Sequence, residues 1–383
     1  MCELSDWSEN AIDSEARVID QFTTGADDSL RTLINRVINA EATLQQVSNS
    51  SWTPKFNINE TAFTDAWGRP QRDGPALRST AIITYANWLL ANGNGTSFVT
   101  NNLWPILKLD LDYVMNSWNL SGPLTHIPSF DLREEVNSSS FFTTAVQHRA
   151  LREGIALANK IGQTSVVSGY TTQASNALCF LQSYWNPSAG YMTANTGGGR
   201  SGKGTIPPHL HPQLRPRGGL RATTFQPCSD KALSNLKVYV DSFRSIYIVN
   251  SGIASNVAVA TGQYPEDSYY KATRALRRAD RVGQQGSLDV TATSLAFFRQ
   301  FDSSVGHGHP TSRPPVVNAK HTYSSGRSRR SSTGARAAGA GPTWSYAAAL
   351  TSFAAREGKT FAGWGVKGRP GHVQCLRDDH PRW

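Results

Sequence analysis

The chain has 383 residues, enough for one large domain or two ordinary ones with a substantial core. Hydrophobic residues make up 39% and aromatics 10% of it, which excludes a disordered polymer and suits a globular protein whose aromatics fill a core or line a sugar-binding cleft. The net charge of +10 does not point to nucleic acid or a membrane surface: residues 1–200 carry 13 basic and 18 acidic side chains, residues 201–383 carry 25 and 10, and the excess belongs to particular stretches.

Periodicity along the chain is helical. Leu30, Leu33, Ile34, Val37, Ile38 and Leu44 recur at helical spacing after Asp27-Asp28-Ser29, which predicts a first helix. Residues 76–92 repeat the pattern and stop at Gly93, a fitting helix-end residue. Trp104-Pro105 opens the next helix, with Pro in its first turn and Ile106, Leu109, Tyr113 and Val114 on one side. A long helix runs from Ser140 to Ile161 and ends at Gly162, and others cover about 170–185, 231–249, 287–300 and 343–356. Alternating strand patterns are scarce, so the expected class is all-α.

Three stretches depart from this pattern. Residues 196–222 are rich in Gly, Pro and Arg, residues 271–286 are basic and weakly patterned, and residues 302–342 have almost no large apolar side chain after Val317. Such composition does not bury enough surface to offset chain entropy, and disorder is expected there. The basic tract at 302–342 lacks the interleaved aromatics of a nucleic-acid binder, so no nucleic-acid partner is expected.

No apolar run reaches the ~18 residues of a membrane span, and no membrane association is expected. The start of the chain is polar and acidic, without the features of a signal peptide. Five Asn-Xaa-Ser/Thr sequons, opening at Asn49, Asn59, Asn94, Asn119 and Asn137, favour a secreted origin instead. A missing exon or a misplaced start would reconcile the two. Four cysteines, Cys2, Cys179, Cys228 and Cys375, have no zinc-ligand spacing and allow one or two disulfides. The HGHP run at 307–310 has no third ligand nearby, so no metal is expected.

Two segments carry candidate chemistry. Asp131, Glu134 and Glu135 lie together in PSFDLREEVNSSSFF. If this segment is helical, Asp131 and Glu134 share a face and Glu135 points about 100° away. Close carboxylates repel, and burial beside them holds one protonated near neutrality, as a general acid acting on a glycosidic oxygen requires. The commoner role of such a cluster is to cap a helix or to form its solvated first turn. The second segment, AWGRPQRDGPALR, packs Trp67, Arg69, Arg72 and Asp73 into a turn before a helix. It reads either as a sugar-binding loop or as a helix entry with Arg69, Arg72 and Asp73 paired at the surface.

AWGRPQRDGPALR, FDLREEVNSSSFFTTAVQHRALREG, TTFQPCSDKAL, VDSFRSIY and YPEDSYY resemble, in the same order, segments of the fungal glucoamylases of glycoside hydrolase family 15. With PKFNINETAF and TWSYAA, the similarity covers roughly two thirds of the chain. The resemblance implies an (α/α)6 barrel over residues 1–383, here incomplete, whose active site lies where helix-connecting loops converge. It implies inverting hydrolysis of terminal α-1,4 glucosidic bonds of starch, maltooligosaccharides and related α-glucans, no cofactor, a secreted protein and a monomer. Glu134 matches the general acid and Asp131 a neighbouring carboxylate described as a proton acceptor. Glu135, Trp67 and Trp344 match groups that contact sugar, and Arg69 and Asp73 share the loop of Trp67.

The resemblance also exposes departures. Arg133 stands where the family has Trp, and a cation there works against a protonated Glu134. Gln263 replaces a substrate-binding Arg, and the N-terminal Thr-Arg-Asp-Ser element has no counterpart. In the family the general base is a Glu between the YPED and TWSYAA segments, whereas here no Asp or Glu occurs between Asp302 and Glu357. The family's partner for Cys228 is absent as well, and the starch-binding domain has no counterpart. Each replaced stretch begins and ends abruptly, as frame shifts or mis-spliced exons would leave it. A non-catalytic glucan-binding remnant is therefore the alternative expectation.

Overall fold

A computed structural model describes residue 19 and residues 29–47, 56–57, 59–64, 70–93, 95–121, 129–131, 136–197, 199–204, 225, 230–247, 250–255, 259 and 264–266. Six main helices are described. They are α1 (Ser29–Gln46), α2 (Gly74–Ala91), α3 (Trp104–Ser117), α4 (Phe141–Lys160), α5 (Val167–Leu181) and α6 (Asp230–Asp241). Two short hairpins join them: β1 (Ser129–Phe130) with β2 (Asn137–Ser138), and β3 (Trp185–Asn186) with β4 (Tyr191–Met192), both antiparallel. The helices expected at 287–300 and 343–356 lie outside the described residues.

Helix burial alternates along the chain. α1 is amphipathic and buries Ile34, Ile38, Glu41 and Leu44 along one stripe. α2 buries residues on all sides, among them Ala76, Ile82, Ile83, Tyr85 and Leu89. α3 is one-sided again, burying Leu107, Asp110, Leu111 and Val114. The first half of α4 is covered on every side from Phe141 to His148, and α5 presents a single stripe of Tyr170, Ala174, Ala177 and Leu181. Since a helix that is apolar all round must lie inside, the order is outer, inner, outer, inner, outer. α2 packs against both α3 and α4, and α4 packs along α5. Gly154 permits the close approach of α4 to α3, because a Cβ there would lie 2.7 Å from Leu111 Cδ1.

Helix ends follow local chemistry. Ser140 caps α4 through its side chain, which accepts from the Thr143 N–H, and Gly162 after its end takes φ +76°. Gly93 plays the same part after α2 at φ +78°. Pro105 lies in the first turn of α3 as expected, yet the backbone is already helical from Thr96 and passes through a π-helical turn at Val99–Leu103. Pro105 has no N–H to donate and its ring crowds the carbonyl four residues back, and a wider turn accommodates both.

Several sequence expectations are corrected. Leu33 and Leu109 are 46% and 51% exposed, and the buried stripes run through Glu41 in α1 and through Leu107 and Leu111 in α3 instead. α6 ends at Asp241, and residues 242–247 continue as turns rather than as helix to 249. In that turn Phe243, Arg244 and Ile246 each donate a backbone bond three residues back, to Val240, Asp241 and Phe243. Within the stretch 196–222, Thr196 N–H donates to Ser139 O at 3.0 Å and Gly202 O accepts from Ala194 N–H at 2.8 Å. Residues 205–222, 271–286 and 302–342 lie outside the described residues.

A buried ion cluster joins the first three helices. Arg78 of α2 meets Asp110 of α3 through two hydrogen bonds at 2.6 and 2.7 Å and Glu41 of α1 at 2.6 Å. Burial lowers the Arg78 pKa, but the charges and hydrogen bonds of Asp110 and then Glu41 outweigh it and hold the group above its ordinary value.

Candidate active site

The segment Ser129–Ser138 is a hairpin, not the entry of a helix. Ser129 pairs with Ser138 and Phe130 with Asn137, while α4 begins only at Phe141. Asp131 closes the turn between the strands. Its N–H donates to Val136 O at 3.0 Å, and its Oδ1 accepts from Val136 N–H at 3.2 Å. Oδ2 accepts from Asn195 Nδ2 at 2.8 Å, and the residue is buried. Both carboxylate oxygens therefore hold the two ends of the turn that carries Glu134 and Glu135. The helical i,i+3 pairing of Asp131 with Glu134 is replaced by this closure. Leu132, Arg133, Glu134 and Glu135 lie outside the described residues.

The loop before α2 is welded to the same hairpin. Phe130 N–H donates to Pro70 O at 2.8 Å, and Arg72 N–H donates to Ser129 Oγ at 3.1 Å. Gln147 of α4 reaches Arg72 O at 2.9 Å from the other side. Arg72 and Asp73 are 1% and 0% exposed, which corrects the reading that pairs them at the surface. Arg72 Nη1 donates to Tyr113 Oη at 3.2 Å. Burial raises the Tyr113 pKa, and the Arg72 charge opposes that rise. Trp67 and Arg69, the preceding residues of this loop, and Trp344 lie outside the described residues.

A third sequence segment joins through Asn195. Residue 195 forms an antiparallel bridge with Ser140, and Phe141 N–H donates to Ala194 O at 2.9 Å. Nearby, Glu266 Oε1 accepts from Ser201 N–H at 3.1 Å, and the Arg200 guanidinium stacks 4.0 Å over the Tyr264 ring. Tyr264-Pro265-Glu266 is the start of the YPED segment. A continuous run of contacts thus leads from residues 264–266 through 194–202 to Asp131, Phe130 and Pro70.

Polar groups under the hairpin are well bonded. Tyr184 Oη meets Thr144 Oγ1 at 3.1 Å and Ser139 Oγ at 2.5 Å, and burial pushes its pKa up to about 12 against those two bonds. His148 of α4 is pushed down to about 3, first by burial and then by the charge of Arg152. It is neutral at any working pH and is not a proton donor. Among the described residues no group of three or more His, Cys, Asp or Glu could hold a metal ion.

Sequence reasoning singled out Asp131 and Asp73 but missed Ser129, Tyr113, Gln147 and Asn195. Ser129 and Asn195 are ordinary loop residues whose partners lie 57 and 64 positions away, and no local pattern marks them. Gln147 carried a weak signal, a polar side chain on the fully covered half of α4.

Residues 10–340 match the family described as glycosyl hydrolases family 15. Glucoamylase-1 of Schizophyllum commune is 45% identical over 97% of this chain and 69% of its own length. A glucoamylase of Neurospora crassa is 39% identical over 94% of the chain and 62% of its own. The solved family 15 glucoamylase of Hypocrea jecorina superposes with a TM-score of 0.70 at 38% identity, over 94% of this chain and 65% of that one. The chain therefore spans about two thirds of the length of these relatives. The match gives the fold class as the all-α (α/α)6 barrel, and α1 to α5 are consecutive outer and inner helices of that toroid.

Proposed function

Because the chain belongs to glycosyl hydrolases family 15, we propose that it acts as a glucoamylase-type hydrolase. It removes terminal α-1,4-linked glucose from the non-reducing ends of starch and maltooligosaccharides with inversion, releasing β-D-glucose. The observation that supports this best is the bond from Phe130 N–H to Pro70 O. It ties the residue before Asp131 to the residue after Arg69, so that the segment of Glu134 and Glu135 and the segment of Trp67 leave one shared anchor.

In this reading Glu134 protonates the departing glycosidic oxygen. Asp131 acts by closing the turn beneath it, since both of its oxygens accept hydrogen bonds within the fold. Glu135, Trp67 and Trp344 contact the sugar, Arg69 shapes the loop of Trp67, and Asp73 supports that loop from its buried position. The protein is read as a secreted monomer. Five sequons support secretion, as does Cys179, which is disulfide-bonded.

A second reading has its own observation. Inversion requires a base about 6.5–9.5 Å from the acid, across the sugar. The family's base segment has no Asp or Glu here between Asp302 and Glu357. Loss of such a base costs about 10²–10⁴-fold in rate, which leaves a protein that holds α-glucans and scarcely cleaves them.

Glucose release from maltoheptaose by the purified chain separates the two readings, with Glu134→Gln as control and retention on immobilised starch measured in parallel. Release that vanishes in the variant supports the hydrolase. Retention without release supports the glucan-binding remnant. Neither release nor retention sinks both.

A further inference from the structure

We propose that Asn59 is the attachment site of an N-linked oligosaccharide. Asn59-Glu60-Thr61 sits in a turn closed by short-range bonds, with Phe56 bridged to Ala62 across it. Asn57 N–H donates to Thr61 O at 2.9 Å, and Glu60 N–H donates to Asn57 O at 2.9 Å. Glu60 takes φ +62°, which folds the sequon back on itself. Within this frame Thr61 Oγ1 donates to Asn59 Oδ1 at 2.7 Å, while Asn57 Nδ2 donates to Thr61 Oγ1 at 2.9 Å.

Two consequences make this a built site. The Asn59 carboxamide is held by its oxygen, and because oxygen and nitrogen diverge from one planar carbon, Nδ2 is turned away from the hydroxyl. Asn59 is also exposed, so a large polar substituent extends into solvent without disturbing the core. The closing bonds span at most five positions, so the turn forms as the chain emerges, before α1 and α2 pack. Thr61, stiff at χ1, presents its hydroxyl with less lost freedom than Ser would.

Its co-substrate is a lipid-linked oligosaccharide pyrophosphate. The Asn59 Nδ2 attacks the anomeric carbon of the first sugar, a C–N bond forms, and the C–O bond to pyrophosphate breaks. The nitrogen gives one proton to a base of the transferase, and the lipid pyrophosphate leaves with the bonding electrons. No redox change occurs.

The test is glycopeptide mapping of the full chain expressed behind a secretion leader in a yeast host. Total chain is extracted in denaturant, so occupancy is counted whether or not a variant folds. Enzymatic removal of the glycan in ¹⁸O water converts a modified Asn59 to a labelled Asp. The label is expected at Asn59 in most wild-type molecules, reduced in Thr61→Ser and lost in both Thr61→Ala and Asn59→Gln. Wild-type Asn59 recovered unlabelled overturns the proposal, whatever the state of the other sequons. Full occupancy persisting in Thr61→Ala overturns it equally, because the hydroxyl contact then has no part. Neither result depends on whether the chain cleaves starch.

Discussion

Two clusters of the same residue types behave as opposites in this molecule. Arg78, Asp110 and Glu41 meet inside the packed face shared by α1, α2 and α3, each at most 9% exposed. Lys237, Asp241 and Arg244 meet at the end of α6, where the Lys237 side chain is 74% exposed. In both, short hydrogen bonds join a cation to a carboxylate. What differs is the water around them. A buried charge has exchanged its hydration for its partners, so removing one partner strands the others, whereas an exposed charge regains water. Geometry alone therefore says little about what an ion pair contributes.

The largest test of that contrast is Arg78→Met, which keeps much of the stem and removes the guanidinium. It strands two buried carboxylates and is expected to cost about 3–5 kcal/mol, read from urea unfolding. A loss below about 1 kcal/mol would erase the distinction. Next comes Asn195→Ala, which removes the donor to Asp131 Oδ2. It is expected to cost about 1–2 kcal/mol of stability. Any glucose release from maltoheptaose should fall with it through kcat more than KM, since the turn moves and not the sugar contacts.

A third test uses pH and His148, whose pKa is lowered from 6.5 to about 3 by burial and then by Arg152. In the unfolded chain this group takes up a proton first, so stability is flat above about 6.5 and falls as pH drops from there toward 3. The slope from this group reaches at most about 1.4 kcal/mol per pH unit. Thermal unfolding from pH 7 down to 4 should therefore show a steeper loss in the wild type than in His148→Asn. The smallest effect is expected at the exposed cluster. Lys237→Ala should change stability by no more than about 0.5 kcal/mol, and the change should shrink further in 1 M salt.

The helices were legible because one-sided burial imposes a 3.6-residue period, and α1, α2, α4 and α5 begin and end close to where that period does. Their end signals, Gly93 and Gly162, were legible for the same local reason. Non-local features were not. Glu41 reads as a break in an apolar stripe until Arg78 appears opposite it. Arg72 and Asp73 look like surface charges in a loop, and only the hairpin and α4 closing over them bury the pair. The acidic run around Glu134 looked helical by spacing, yet cross-strand pairing of Ser129 with Ser138 decided its form. Family resemblance drew attention to Asp131 but not to Asn195, its partner from 64 positions away.

The π-helical turn at Val99–Leu103 bears on which sequence changes the chain tolerates as well as on its geometry. Such a turn carries one residue more than the regular ladder needs, and every residue beyond it is set about 100° out of phase with the helix before it. Leu107, Leu111 and Val114 face the core in this offset frame, and Leu109 faces solvent. A one-residue deletion there would leave the hydrogen-bond ladder more regular and the protein worse off, because it would turn the apolar stripe of α3 outward. The surplus residue is thus held in place by the helix beyond it, a small local irregularity required by the alignment of a distant surface.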